Sequence, residues 1–182
     1  ADLMAQWRRG YEVVSAVLAA VTPKTRLVIL NTPHNPTGGI LRKGDLDAIA
    51  AILHRHPRIW VFADEIYSRL AYDGAFDSIA TRAGLLERTV ICDGASKTWA
   101  MTGWRIGYAA NRTLAPVFTR WITNTDSCAS QISQWAAVEA LAGPQEAADA
   151  MRASFLARRD LIVGLLNGVP GISCRVPGGA FY

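Results

Sequence analysis

The feature that most constrains the fold is a repeated alternation of short apolar runs with segments of helical periodicity. Three runs rich in Val, Ile and Leu each end just before polar residues, and a fourth is expected further on. These runs span residues 26–31, 59–63, 89–92 and 104–109. Strands of this composition that alternate with helices are typical of mostly parallel sheets covered on both faces. We therefore predict an α/β fold with three layers, in which helices flank a mostly parallel sheet.

Apolar residues at helical spacing predict five helices. These helices span residues 2–21, 45–54, 114–124, 131–142 and 144–167. A last strand is predicted from Ile172 to Val176. We expect a domain boundary at the start of the long helix, so that residues 1–145 form a large domain. Residues 146–182 would then be an interdomain helix and the start of a small α+β C-terminal domain.

Charge and cysteine content exclude several classes of function. The formal net charge is +4, but no run of Lys and Arg is longer than two residues, so we expect no nucleic-acid partner. The longest apolar stretch, residues 13–21, is shorter than the roughly 20 residues that cross a bilayer, so we expect no membrane partner. Three widely spaced cysteines form no metal-binding motif and no disulfide framework. Reduced thiols and a cytoplasmic location are the expectation, with no metal site.

Polar residues follow the predicted strands at the points where the strands end. Asn35, Asp64 and Lys97 each come just after a strand. In open parallel sheets, ligands bind at the carboxyl ends of the strands. We therefore expect these three side chains to gather at one edge of the sheet and to form one site.

The Lys97 segment offers an amine and an anion clamp. An amine can form a Schiff base when a neighbouring cation or burial keeps it unprotonated, and Arg105 lies eight residues further on. Arg105 could bind a phosphate in bidentate fashion or form a structural ion pair. Ser96 could reach the same anion or cap the turn. Taken singly, Lys97 and Arg105 are better explained by ordinary surface or structural roles, and Ser96 fits either role equally well.

Asp64, Tyr67 and Asn35 offer a carboxylate, a phenol and an amide. A carboxylate at the end of an apolar strand is unfavourable unless it is paired, either with a ligand cation or in a salt bridge. Tyr67 lies three residues beyond Asp64 and could reach the same ligand or pack in the core. Asn35 lies in a Pro- and Gly-rich loop, where it could bind a ligand or cap a turn. Glu65 should point away from Asp64, because neighbouring strand residues face opposite sides.

Taken together, these residues resemble a known signature in order and spacing. Residues 35–38 (Asn-Pro-Thr-Gly), Asp64-x-x-Tyr67 and the run Ser96-Lys97-Thr98, followed by residues 103–107, are similar to class I/II aminotransferases. These are fold type I enzymes that depend on pyridoxal 5'-phosphate (PLP). The aspartate aminotransferase-like group, with Ala-Met-Thr-Gly-Trp-Arg at residues 100–105, is the most similar. Residues 131–137 and 177–182 also resemble blocks of this family.

The resemblance implies a cofactor and a reaction. PLP would be held by Lys97 in an internal aldimine, and Lys97 would then move a proton between the substrate α-carbon and the cofactor. Asp64 would pair with the pyridine nitrogen, and Asn35 and Tyr67 would bind the ring oxygen. The reaction implied is transfer of an amino group between an amino acid and a 2-oxo acid.

The phosphate of PLP would, by the same resemblance, be bound by Ser96 and Arg105. Gly94 stands where many family members carry a hydroxyl residue, so one further phosphate contact is missing from the pattern. The fold implied is the large domain of a PLP-dependent transferase, with residues 1–145 as its partial cofactor-binding portion.

The chain departs from the family pattern in length. Family members are roughly twice as long, and their further segments supply a phosphate loop, an aromatic that stacks on the cofactor and an arginine for the substrate carboxylate. We therefore expect a fragment that is inactive alone and a homodimer for the full-length protein. Two other functions share the same cofactor residues. One is a PLP-dependent carbon-sulfur lyase, and the other is the non-catalytic PLP-sensing domain of a transcriptional regulator.

Overall fold

The computed structural model describes residues 10–182, and its centre is a four-stranded mixed sheet in the order β1-β2-β3-β4. The strands are β1 (Leu27–Asn31), β2 (Trp60–Asp64), β3 (Thr89–Gly94) and β4 (Gly107–Ala110). The first three strands are parallel, and β4 runs antiparallel to β3. The predicted α/β fold with a mostly parallel sheet flanked by helices is confirmed.

Six helices accompany the sheet in the described part of the chain. They are α1 (Gly10–Ala20), α2 (Lys43–Arg55), α3 (Ala95–Thr98), α4 (Ala115–Thr125), α5 (Gln131–Ala142) and α6 (Glu146–Asn167). The helix predicted over residues 2–21 is observed from Gly10 onward, and residues 2–9 lie outside the described residues. Within the described residues, no helix is both long and apolar enough to cross a membrane.

The register of the parallel strands aligns their polar ends. Asn31 at the end of β1 pairs with Asp64 at the end of β2, and Asp64 pairs with Cys92 in β3. Because all three strands run in the same direction, the loops that follow them leave from one edge of the sheet. This alignment places Asn35, Asp64 and the Lys97 helix on the same side, as the sequence predicts.

The main core lies between α2 and the sheet. The apolar stripe of α2, including Leu46, Ile49 and Leu53, is buried against Val61 and Ala63 of β2. Each Leu or Ile that is removed from water contributes about 1.5–3 kcal/mol. The stripe has the three- and four-residue spacing of a helix with one buried face. This packing fixes the two strands whose ends carry the site.

A second, smaller core connects the site to the C-terminal part of the chain. Tyr67, Leu70 and Ala180 are buried together, with Ile66 and Phe155 of α6 packed against them. The backbone N–H of Ala180 donates to the carbonyl of Leu70 at 3.0 Å. The segment after α6 is therefore anchored beside β2 by backbone bonds and apolar contacts.

The prediction of a strand from Ile172 to Val176 is wrong. This segment is irregular, and the Asn167 side chain at the end of α6 hydrogen-bonds to both the N–H and the carbonyl of Cys174. Because the Asn167 side chain occupies the N–H and the carbonyl of Cys174, these groups do not pair with a neighbouring strand. In this region of the described chain, sheet-like pairing is limited to an isolated antiparallel bridge between Ala71 and Gly179.

The fourth strand begins three residues later than predicted. Residues Thr102–Trp104 form a single 3-10 turn, and Arg105 has a left-handed backbone with φ of 51°. A left-handed residue interrupts the extended conformation, so pairing with β3 starts at Gly107. The long helix likewise starts at Glu146, two residues after Pro144. The domain boundary at residues 145/146 stays a prediction.

Candidate functional site

Asn31 at the end of β1 organises the first loop of the site. Its side-chain amide donates to the backbone carbonyl of Asp64 at 3.3 Å, and its side-chain oxygen accepts the N–H of Asn35 at 2.9 Å. One side chain thus joins the ends of two strands and fixes the position of the loop that carries Asn35. This role of Asn31 does not follow from the sequence pattern, in which the residue is the last of the apolar run over residues 26–31.

The loop over residues 34–39 is closed on itself and held from outside. The N–H of His34 donates to the carbonyl of Gly39 at 2.7 Å, and Gly38 donates back to His34 at 2.8 Å. Gly38 has φ of 65°, and a Cβ at this position would clash with Pro177. The N–H of Gly179 donates to the carbonyl of Gly38 at 3.1 Å. The loop is therefore locked between the sheet edge and residues 177–179.

Asp64 presents a half-buried carboxylate at the end of β2. One oxygen accepts the backbone N–H of Ile66 at 3.4 Å, a long hydrogen bond. No Lys, Arg or His in residues 10–182 forms an ion pair with it. A half-buried carboxylate with so little internal compensation is suited to pairing with a cationic group of a ligand.

Glu65, the next residue, faces a different environment, as the strand alternation predicts. Its side chain is buried and accepts a hydrogen bond from the Ser78 hydroxyl. Burial raises the pKa of the Glu65 carboxyl above its ordinary value, and the neighbouring carboxylates of Asp93 and Asp64 add to the shift. Glu65 is therefore a structural carboxyl, and Asp64 is the one at the site.

Tyr67 is the most enclosed side chain of the site, with 2% of its surface exposed. Its hydroxyl lies 2.7 Å from the hydroxyl of Tyr182. Burial first, and the Tyr182 hydroxyl second, raise the pKa of the Tyr67 phenol well above its ordinary value, while Asn35 opposes the shift. The phenol therefore stays protonated at neutral pH and can donate a hydrogen bond.

Lys97 lies on α3, the single helical turn that follows β3. Its ammonium nitrogen is 5.8 Å from the centre of the Phe181 ring. That ring packs edge-on against Tyr67, with 5.3 Å between ring centres. Among the described residues, no carboxylate forms an ion pair with Lys97. Lys97 and Tyr67 thus share Phe181 as an aromatic neighbour.

Ser96 and Arg105 form a second group of polar residues. The Thr102 hydroxyl donates to the carbonyl of Ser96 at 3.2 Å, and the Arg105 guanidinium donates to the carbonyl of Thr102 at 3.0 Å. The Arg105 side chain is exposed and makes no ion pair with a described carboxylate. The 3-10 turn therefore ties Ser96 to Arg105 and leaves guanidinium donors open to an anion.

The structure thus connects the predicted residues in two groups. Tyr67 and Lys97 both neighbour the Phe181 ring, and Asn35 lies in the loop that follows β1. Ser96 and Arg105 are linked through Thr102, with no direct contact between their side chains. Sequence patterns do not assign Phe181 and Tyr182 to the site, although both lie in the block of residues 177–182. Their position beside Tyr67 depends on the fold of the intervening chain.

Comparison with known proteins gives consistent matches over nearly the whole chain. The sequence profile of the family described as aminotransferase class I and II matches residues 12–182. An aspartate/prephenate aminotransferase of Cereibacter sphaeroides is 42% identical over 172 residues, which are 90% of this chain and 42% of that protein. An aspartate aminotransferase of Rhizobium meliloti is 46% identical over 177 residues, which are 95% of this chain and 43% of that protein.

Solved structures show the same similarity. The aspartate aminotransferase from Rhizobium meliloti superposes with a TM-score of 0.87 at 43% identity, covering 92% of this chain and 42% of that one. An aromatic aminotransferase from Pyrococcus horikoshii superposes with a TM-score of 0.84 at 37% identity, covering 92% of this chain and 45% of that one. The chain therefore spans less than half the length of the relatives that it matches.

Proposed function

Because the chain belongs to the class I and II aminotransferase family, whose cofactor is PLP, we propose that it forms the cofactor-binding part of a transaminase. The proposed reaction moves an amino group between an amino acid and a 2-oxo acid, in the manner of the aspartate aminotransferases that it matches. We propose Lys97 as the catalytic residue.

The residues present fit the chemical groups of PLP. The Asp64 carboxylate, which has no internal cation partner among the described residues, suits a protonated pyridine nitrogen. The neutral Tyr67 phenol and the Asn35 amide are donors for the ring oxygen. Ser96 and the open guanidinium of Arg105 suit the phosphate. When bound, PLP supplies an aldehyde that condenses with amines and a ring that accepts electron density.

The single observation that carries the proposal is the contact of Lys97 and Tyr67 with one aromatic ring. The Lys97 nitrogen and the Tyr67 ring lie 5.8 Å and 5.3 Å from the centre of Phe181. An amine and a proton-donating phenol, 30 residues apart in sequence, thus share one aromatic neighbour.

Each side chain then has a defined task. The Lys97 nitrogen binds the cofactor and, once released, accepts and returns a proton at the substrate α-carbon. The negative charge of Asp64 keeps the ring nitrogen protonated. Tyr67 holds its hydroxyl proton toward the ring oxygen, and Arg105 fixes the phosphate end of the cofactor. The roles are separate, so substitutions should have separable effects.

The partners that we propose are small molecules and a second copy of the protein. The substrates are an α-amino acid and a 2-oxo acid, and no nucleic acid or membrane is involved. A homodimer is supported by the large apolar side chains that α4 and α5 leave exposed, including Trp121 and Trp135. We propose a cytoplasmic location for the protein.

Reductive labelling tests the proposal directly. The purified chain is incubated with PLP, reduced with borohydride and digested, and the modified lysine is located by mass spectrometry. Lys97 is expected to carry the label alone, because it is the lysine of the proposed site. Lys24 and Lys43 are internal controls, since both are exposed. Labelling distributed over all three lysines would contradict an organised cofactor site.

A further inference from the structure

We propose that Tyr182 is a positioning residue that sets the direction of the hydrogen bond made by Tyr67. This inference rests on the proposed function, because its acceptor is the ring oxygen of PLP. The two hydroxyl oxygens are 2.7 Å apart, although 115 residues separate them in sequence. Nothing in the sequence pattern around Lys97 indicates this contact.

The single proton on the Tyr67 hydroxyl limits the hydrogen bonds that this residue can donate. A phenol carries one proton to donate and lone pairs to accept with. At 2.7 Å either of the two hydroxyls can be the donor. If Tyr67 gives its only proton to the ring oxygen of a bound cofactor, Tyr182 must donate to Tyr67. Binding of an acceptor therefore fixes the direction of the hydrogen bond between the two tyrosines.

Burial separates the roles of the two tyrosines. Tyr67 is 2% exposed and Tyr182 is 46% exposed, so Tyr182 can exchange its proton with solvent while Tyr67 cannot readily do so. The ring of Tyr182 packs edge-on against that of Tyr67, with 5.8 Å between centres, and lies 5.0 Å from Phe181. These ring contacts keep the Tyr182 hydroxyl within hydrogen-bonding distance of the Tyr67 hydroxyl.

The backbone and a neighbouring side chain hold the segment that carries Tyr182. Ala180 donates to Leu70, and the Tyr72 hydroxyl donates to the carbonyl of Ala180. Tyr72 thus supports the same segment two residues away from Tyr182, and it forms no hydrogen bond and no ring contact with Tyr67. This arrangement provides a matched control: removing the Tyr72 hydroxyl disturbs the segment, and removing the Tyr182 hydroxyl disturbs the hydrogen-bonded chain.

A hydroxyl that accepts one hydrogen bond donates another more strongly. Tyr182→Phe should therefore weaken the bond from Tyr67 to the ring oxygen. A weaker donor stabilises the negative ring oxygen less, so the bound cofactor keeps its proton to higher pH. We expect the midpoint of the pH-dependent absorbance of the bound cofactor to rise by about 0.3–1 pH unit. The dissociation constant of PLP should increase by roughly 2- to 10-fold.

The experiment compares five proteins by absorbance titration with PLP between pH 5 and 10. They are the unaltered chain, Tyr182→Phe, Tyr72→Phe, Tyr67→Phe and the double variant Tyr67→Phe/Tyr182→Phe. The midpoint should rise in Tyr182→Phe and stay unchanged in Tyr72→Phe. Tyr67→Phe should raise it further, and adding Tyr182→Phe to that variant should have no additional effect. Such non-additivity shows that Tyr182 acts through Tyr67.

Each other outcome overturns a specific statement. If the unaltered chain binds PLP at Lys97 and Tyr182→Phe has the same midpoint, the positioning role is wrong and the proposed function stands. An equal shift in Tyr72→Phe would mean that the segment acts only as structural support, and the positioning role is again wrong. If the unaltered chain shows no saturable absorbance change and no selective Lys97 label, both the positioning role and the proposed function fail for this chain.

Discussion

Helix α2 differs sharply from helices α4 and α5 in how many of its residues are buried. Five residues of α2 are buried, and its stripe packs against β2. In contrast, no residue of α4 is buried, and α5 buries only Ser133 while Trp135 is exposed. All three segments are nevertheless regular helices of 11 to 13 residues.

The comparison shows that helix formation and helix burial have separate causes. The first turn of α4 contains Pro116, which favours helix initiation. Such a local preference can start a helix whether or not its face is later buried. A large exposed apolar area is instead typical of a surface that contacts other polypeptide. Stability should therefore be concentrated on the α2 side.

Replacement of Leu53 should produce the largest effect. This side chain is 0% exposed in α2, so Leu53→Ala should lower the free energy of unfolding by about 2–5 kcal/mol through lost burial and a cavity. Urea denaturation measures the change. The matched control is Leu141→Ala in α5, where the leucine is 52% exposed and the change should stay within about 0.5 kcal/mol. Equal losses in both variants would remove the distinction between the two kinds of helix.

A smaller effect is expected from the ion pairs that tie α2 to the loop before β3. Arg82, whose side chain is 11% exposed, bonds to both Asp47 of α2 and Asp77. The hydrogen bond from Arg82 lowers the pKa of the Asp77 carboxyl below its ordinary value. Asp77→Asn should therefore lower the free energy of unfolding at pH 7 by about 1–3 kcal/mol.

The effect of Asp77→Asn should depend on pH in a defined direction. Because the pKa of Asp77 is lower in the folded state, its stabilisation is present above the ordinary value of 3.8 and is lost as the pH falls through the folded value. The difference between the two proteins should be constant from about pH 5 to 7 and vanish in stronger acid. Asp126→Asn, in the exposed loop before α5, is the control without an ion pair in the described chain. A difference that does not decline as the pH falls below the ordinary value of 3.8 would contradict the electrostatic explanation.

The smallest effect on stability should come from the exposed helices. Trp135 is 68% exposed, so Trp135→Ser should change the free energy of unfolding by no more than about 0.5 kcal/mol. The same substitution should reduce self-association, measured by analytical ultracentrifugation, if α5 contributes to the proposed homodimer. A loss of stability close to that of Leu53→Ala would show that Trp135 is covered, which would contradict the comparison.

Local patterns predicted most of the fold. The parallel strands, the helices and the common edge of Asn35, Asp64 and Lys97 follow from apolar periodicity and strand ends. The helix over residues 131–142 is observed with the same bounds. These features depend on interactions within a few residues or on the direction of parallel strands, both of which sequence patterns record.

The errors arose where a single side chain, a single backbone conformation or the later course of the chain, which apolar periodicity does not record, decides the structure. The strand expected at residues 172–176 is absent because Asn167 occupies the backbone groups of Cys174. The fourth strand starts late because Arg105 adopts a left-handed conformation. Tyr182 reaches Tyr67 only after α6 has brought the chain back, so its place at the site could not be read from spacing.

The contact between Tyr67 and Tyr182 also has a consequence for synthesis of the protein. The ribosome adds the 115 residues that separate the two tyrosines in roughly 6–23 s, at 5–20 residues per second. During that interval Tyr67 and Leu70 have been made but lack Ala180, the residue that completes their buried cluster. The α2 core, whose residues all lie between positions 30 and 85, can form earlier. The residues of the α2 core are therefore all synthesised well before the cluster around Tyr67 can be completed.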